Sequence, residues 1–232
     1  MDKIKHVFFD LDRTLWDFET NSKLALEEIY KNLNLEKCLG VPADAFIVEY
    51  KRINEIFWNE YQDGIINKAE LRYARFEAAL AYFGVKDKDL AHRIGQTYID
   101  ISPIKTALIP GAKELLSYLK PKYKLHIITN GFSEVQHIKL ANSGVEDYFD
   151  RIVISELVGH KKPSVKVFRY AEKVTKATPE QCIMIGDHYQ ADVIGALNAR
   201  WQAIFLEPKK VGFEISKDCI RVKKLAEIMA IL

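Results

Sequence analysis

His6-Val7-Phe8-Phe9-Asp10-Leu11-Asp12-Arg13-Thr14 is the stretch that decides how this chain is read. Residues 7–9 are aromatic and β-branched, the composition of a strand covered on both faces of a parallel sheet. The run ends in two carboxylates, Asp10 and Asp12, one residue apart. In open α/β sheets the chemistry gathers beyond the carboxyl ends of the strands. Two acids there can hold a divalent cation, and one can attack while the other moves protons. A polar turn closing a strand has the same composition, so the rest of the chain must decide.

Further along, Leu125-His126-Ile127-Ile128-Thr129-Asn130-Gly131 reads as a strand ending in a hydroxyl and an amide. Gly159-His160-Lys161-Lys162-Pro163 supplies lysines, and Cys182-Ile183-Met184-Ile185-Gly186-Asp187 ends another strand in an acid, with Asp192 five residues on. Strand-like runs also cover residues 152–155 and 203–206. Helical patterns cover residues 111–119, 133–143, 164–175 and 191–199. Strand alternating with helix predicts an α/β fold: a Rossmann-like parallel sheet of about five strands with helices on both faces.

Residues 17–105 break the alternation. They contain no strand pattern and read as amphipathic helices over 22–33, 43–61, 68–83 and 87–99. Asn67-Lys68-Ala69-Glu70 is a capping sequence, and Gly84 is a stop. Connections from strand to helix are normally short. The block therefore predicts an inserted all-helical domain, 17–105, within a core domain made of 1–16 and 106–232.

Composition excludes several classes. With 48% apolar and 28% charged residues, the 232-residue chain is an ordinary globular one. A net charge of +2 gives no footprint for a nucleic acid polymer. Lys209-Lys210 and Lys223-Lys224 are isolated pairs, read as solvated surface. Cys38, Cys182 and Cys219 form neither a disulfide framework nor a zinc pattern, which fits a reducing compartment. No apolar run suits a signal peptide or membrane span. The expectation is a cytoplasmic protein, monomer or homodimer, with no membrane partner.

Acid pair, hydroxyl–amide, lysine and acid, in this order, resemble the motifs of the haloacid dehalogenase superfamily: DLDRT, TNG, KKP and GDHYQAD. The resemblance spans nearly the whole chain and makes the helical insertion the family's cap. It implies that Asp10 is a nucleophile forming an aspartyl-phosphate and that Asp12 is the general acid and base. Lys162, directly before Pro163, is the lysine that neutralises nucleophile and phosphate, with Lys161 the competing assignment. Thr129 and the backbone N–H groups of Asn130 and Gly131 bind phosphate. The resemblance likewise implies that Mg²⁺ is held by Asp10, the backbone carbonyl of Asp12, and Asp187. Thr14 braces the loop, and Asp192 orients Lys162 or a metal-bound water. His188 stands where the family often has a serine and reads as a loop residue.

Asp12 argues for phosphate over carbon–halogen chemistry, because the dehalogenating members lack an aspartate there. Arg13 departs from the small or acidic residue usual in that slot. Arg200 stands where a glycine commonly closes the helix.

Specificity is expected from Trp16 and Phe18 after the catalytic loop and from Trp58, Tyr61, Arg72, Tyr73, Arg75 and Phe76 in the cap. Aromatic faces can stack on a base and an arginine can bind an anion, although aromatics at helical spacing are ordinarily core. The combination most resembles the pyrimidine 5′-nucleotidase branch. The implied activity is Mg²⁺-dependent hydrolysis of a small phosphorylated metabolite, a nucleoside 5′-monophosphate in particular. The alternatives are a sugar-phosphate or phosphoglycolate phosphatase, a phosphomutase, a dehalogenase, or a non-catalytic metal- or phosphate-binding regulatory module. The last is expected to lack Asp12 or Lys162, and both are present.

Overall fold

The computed structural model describes residues 3–207, 212 and 215–232; Lys209-Lys210 lies outside them, whereas Lys223 and Lys224 are exposed. The strands are β1 (His6–Phe9), β2 (Lys124–Thr129), β3 (Arg151–Ile154), β4 (Cys182–Gly186), β5 (Gln202–Leu206) and β6 (Ile220–Val222). All are parallel, in the order β3-β2-β1-β4-β5-β6. Among the described residues the sheet thus has six strands where about five were expected. β6 escaped the pattern because its three residues, Ile220-Arg221-Val222, lie at an edge, where one neighbour suffices and no continuous apolar run is needed.

Side chains of a strand alternate between faces, and the two halves of the core follow from that. Val7 and Phe9 join Leu125, Ile127, Ile183 and Ile185 on one face, under α6 (Ala112–Leu119) and the Leu225–Ala230 turn. Phe8 turns the other way, joining Ile128, Met184 and Phe205 under α9 (Val165–Thr175). Helix α7 (Ser133–Asn142) follows β2, and the single-turn α8 (Ser155–Val158) follows β3. The expected helix over 191–199 is divided into a π-helical turn, Tyr189–Ile194, and the short α10 (Gly195–Asn198). Arg200 adopts φ +64° and closes that segment in the left-handed region usually left to glycine.

The chain separates into two compact units, residues 1–18 with 106–232, and 19–105. The division falls two residues beyond the sequence-derived position, after Phe18, which opens α1 (Phe18–Asn32). The inserted unit adds α2 (Leu35–Leu39), α3 (Ala43–Gln62), α4 (Lys68–Tyr82) and α5 (Lys88–Ile101). Its core gathers Leu26, Ile29, Phe46, Tyr50, Phe76, Leu80 and Ile94. Asn67 accepts from Glu70 N at 3.0 Å, while the Glu70 carboxylate accepts from Asn67 N at 2.8 Å, completing the cap anticipated for α4. Gly84 sits at φ +80°, just past the end of that helix. Among the described residues no helix is long and apolar enough to cross a membrane.

Candidate active site

Strand order reverses at β1: the chain builds outward through β2 and β3 on one side, then through β4, β5 and β6 on the other. Ligands of such sheets bind at this switch point, beyond the carboxyl ends of the strands. Asp10 leaves β1 there, Thr129 ends β2, and Asp187 follows β4.

Lys162 is the centre of the constellation. Its Nζ donates to Asp10 Oδ1 at 2.7 Å, to Asp192 Oδ1 at 2.6 Å and to the Ile128 carbonyl at 2.7 Å. All three ammonium protons are thereby used, and the side chain is only 2% exposed. The Lys162 backbone is clamped by Asn130, whose Oδ1 accepts from Lys162 N at 2.9 Å and whose Nδ2 donates to Lys162 O at 3.0 Å. The Asn130 side chain therefore holds the lysine loop. Gly131 N donates to Thr129 Oγ1 at 3.0 Å, so the expectation that this N–H awaits phosphate is corrected: the tight turn spends it internally.

Asp192 belongs to the π-helical turn. Its second oxygen accepts from His188 N at 3.0 Å, which leaves it a buried brace for Lys162. A Cβ on Gly186 would fall inside the Asp192 carboxylate, so glycine is what admits the acid beside β4. His188 Nδ1 accepts from Ala191 N at 3.1 Å and caps the same turn. Thr14 donates to Asp187 Oδ1 at 3.0 Å, bracing that carboxylate from the loop after β1.

Asp10, Asp187 and Asp192 bring carboxylate oxygens within 4.8 Å of one another. Burial raises the Asp10 pKa to about 8; Lys162 opposes the rise, while Asp192 and Asp187 add to it. Burial also raises Asp187, to about 6, with Asp192 adding and Arg13 opposing. Burial works against charge on Lys162, but attraction to Asp10 and Asp192 holds its pKa above the ordinary lysine value. One ammonium among three acids leaves the cluster short of positive charge. An all-oxygen donor set with that deficit suits a hard divalent cation.

Asp12 faces a different environment. Its Oδ1 accepts from Lys139 Nζ at 2.6 Å and its Oδ2 from Gln136 Nε2 at 3.2 Å. Both partners lie on α7, three residues apart and so on one face. The sequence reading passed over them, because a glutamine and a lysine in a polar helix look solvated; Lys139 is in fact buried and lies 4.5 Å above the Trp16 ring.

The candidates for specificity are placed less openly than expected. Trp16 is 0% exposed within the core beside Leu15 and Leu115, so it packs the fold and offers no face to a base. Phe18 is partly buried, with the Arg13 guanidinium 4.4 Å above its ring. Arg13 adopts φ +65°, and its charge reaches Asp187. Arg75 is buried in the inserted unit, donating to Asn54 Oδ1 at 2.6 Å and lying within 5.9 Å of the Tyr50, Phe76 and Tyr98 rings. It is built into that unit's core, which corrects the expectation of an accessible anion contact.

A parallel sheet with a lysine-bridged acid cluster at its switch point is the architecture of an α/β enzyme. The model of the haloacid dehalogenase-like hydrolases matches residues 4–200, and the protein belongs to that family. It is 33% identical over 194 residues to the pyrimidine 5′-nucleotidase YjjG of Escherichia coli (strain K12), covering 83% of this chain and 81% of that one. It is 32% identical over 207 residues to the glyceraldehyde 3-phosphate phosphatase of Methanothermobacter thermautotrophicus, covering 88% and 85%. The crystal structure of the HAD-hydrolase YfnB from Bacillus subtilis, bound to magnesium, matches with a TM-score of 0.87 at 29% identity over 99% of each chain.

Proposed function

We propose that this protein is a Mg²⁺-dependent phosphatase of small phosphomonoesters that works through an aspartyl-phosphate, with pyrimidine nucleoside 5′-monophosphates as preferred substrates. The observation that carries the reading is the separation of two acids one residue apart. Asp10 meets the ammonium of Lys162 and lies within the acid cluster, whereas Asp12 is held by Lys139 and Gln136. Two carboxylates in different surroundings suit two roles.

In the first half-reaction Asp10 attacks phosphorus, the bond to the ester oxygen breaks, and Asp12 gives its proton to the departing alkoxide. In the second, Asp12 removes a proton from the water that attacks the phosphorylated Asp10, releasing inorganic phosphate and restoring the Asp10 carboxylate and the protonated Asp12. Lys162 offsets charge on Asp10 and on the phosphoryl oxygens. Thr129 Oγ1 accepts from Gly131 N and Gln136 Nε2, which leaves its own proton to donate to a phosphate oxygen. Asp10, Asp187 and the Asp12 carbonyl would hold Mg²⁺, which neutralises phosphoryl oxygens when bound. Asp192, with both oxygens already accepting, supports Lys162.

A triose- or sugar-phosphate substrate is the second reading. It is favoured by the enclosure of Trp16, which removes one of the two candidate aromatics that follow the Asp10 loop, and by the likeness to a glyceraldehyde 3-phosphate phosphatase. Phosphate release across a panel of nucleotides, triose and hexose phosphates and phosphoglycolate separates the two. Pyrimidine 5′-monophosphates are expected to give the highest kcat/KM. Chelation by EDTA is expected to abolish turnover and Mg²⁺ to restore it; full activity of the metal-free protein would overturn the mechanism.

A further inference from the structure

We infer that Lys139 and Gln136 are positioning residues for the proton-transferring Asp12, and that the Gln136 amide ties Asp12 to the phosphate-binding Thr129. The inference rests on the phosphatase reading and extends it to residues on α7 that no motif marks.

Three observations support it. The first is saturation of one amide. Gln136 Nε2 has two protons, one directed at Asp12 Oδ2 at 3.2 Å and the other at Thr129 Oγ1 at 3.0 Å. Only the NH₂ end can face a carboxylate without repulsion, so the amide orientation follows from Asp12. The second is what that orientation gives up. Gln136 Oε1 is buried and has no hydrogen-bond partner among the described residues. A glutamine recruited only to pack α7 would satisfy its carbonyl; this one leaves it unsatisfied to present both protons to the site. The third is the accommodation around it. A Cβ on Gly131 would collide with the Gln136 amide, so the Thr129-Asn130-Gly131 turn is shaped to admit this side chain.

Lys139 completes the arrangement. Its ammonium is 2.6 Å from Asp12 Oδ1, with Trp16 packed along it at 4.5 Å. The Trp16 backbone also bridges to Asp12. With one oxygen on a lysine and the other on an amide, the Asp12 carboxyl has a fixed rotamer. Small errors in the placement of a catalytic group are costly, because proton transfer needs hydrogen-bond distance. Neither residue need touch substrate. Each acts through Asp12.

The role predicts a dependence on the leaving group. An alkyl phosphate needs its alkoxide protonated, whereas nitrophenolate departs unaided. General acid–base catalysis is worth about 10²–10⁴-fold, so Lys139→Met is expected to lower kcat/KM for glycerol phosphate by about tenfold or more, and that for nitrophenyl phosphate far less. Lys139→Arg should restore most of the difference. Gln136→Met should show the same asymmetry with no change of charge, which keeps the test open if Lys139→Met folds poorly. Rapid quench should show slower breakdown of the phosphoenzyme in both variants. Equal losses on both substrates, or unchanged breakdown, would overturn the positioning role. A wild-type protein that forms no phosphoenzyme from either substrate would instead overturn the phosphatase reading beneath it.

Discussion

At the scale of the residue, Lys162 is over-determined. Each ammonium proton has a partner, its backbone is gripped by Asn130, and its charge compensates the buried Asp192. Lys162→Ala is therefore expected to do two things. Turnover should fall roughly 10²-fold or more, the scale of a lost electrostatic contact in a preorganised site. Stability should fall by about 3–5 kcal/mol, because an uncompensated acid remains buried. Lys161→Ala should change each only slightly, and comparable losses in the two variants would reverse the assignment. Trp16 gives the opposite expectation to a ligand contact. Trp16→Ala should cost about 3–5 kcal/mol in denaturant unfolding and reduce nucleotide and nitrophenyl phosphate turnover alike. A loss confined to nucleotides would return the indole to the substrate. The placement of Lys162 could be read beforehand from the proline that follows it. Nothing comparable marked Lys139, because burial of a helical lysine depends on which turn of α7 faces the catalytic loop.

At the scale of the element, β1 and β2 are joined by something besides their ladder. His6 Nδ1 lies 3.0 Å from His126 Nε2, with the rings stacked at 5.3 Å. Burial lowers both pKa values, His126 to about 3, and His6 and Lys124 further disfavour charge on His126. An unfolded His126 takes up a proton near pH 6.5 that the folded one refuses until about pH 3. Between those values the unfolded state binds more protons, so stability falls as pH falls, by up to about 1.4 kcal/mol per unit for one such group. Above pH 6.5 the group contributes no slope. Melting curves between pH 7 and 4 should show the decline, and His126→Phe should flatten part of it; an unchanged slope would remove the pair from acid sensitivity. The strands themselves were legible because burial on both faces forces continuous apolar runs. β6 was not, and neither was the π-helical turn at residues 189–194. Extra backbone in a helix leaves no composition signal, and its reason here is tertiary: Asp192 accepts from Lys162 on one side and from His188 N on the other.

At the scale of the molecule, the sheet places Asp10, Thr129 and Asp187 at the ends of neighbouring strands although the chain separates them widely. That convergence was readable from motif order, since parallel strands in a switch-point sheet present their carboxyl ends together. The insertion was readable too, as a long strand-free interval. The role of its aromatics was not, because the same spacing that suggests a ligand also builds a core, and Phe76 and Arg75 were used for the latter. Substrate choice is therefore a question for the whole protein. If nucleotides are preferred over triose and sugar phosphates, the preference should appear in kcat/KM and not in the response to Mg²⁺, since every monoester meets the same phosphate site. A metal response that differed between substrate classes would point to a second cation need outside the acid cluster.

The chain leaves the core after Asp17 and comes back at Ala107, and there the outgoing and returning segments are stitched together: Asp17 N donates to Ala107 O at 3.0 Å, Ile109 N donates to Leu15 O at 2.9 Å, and Trp16 bridges antiparallel to Leu108. To the core, the excursion between them is a long hairpin loop. Antiparallel neighbours of this kind can be closed by a turn of about two residues. The intervening helices are thus a cassette with adjoining splice points, replaceable by a shorter or foreign insert with no change of register in β1 or in the loop that carries Asp10. A lineage, or an engineer, can rewrite that module while the catalytic chassis is inherited whole.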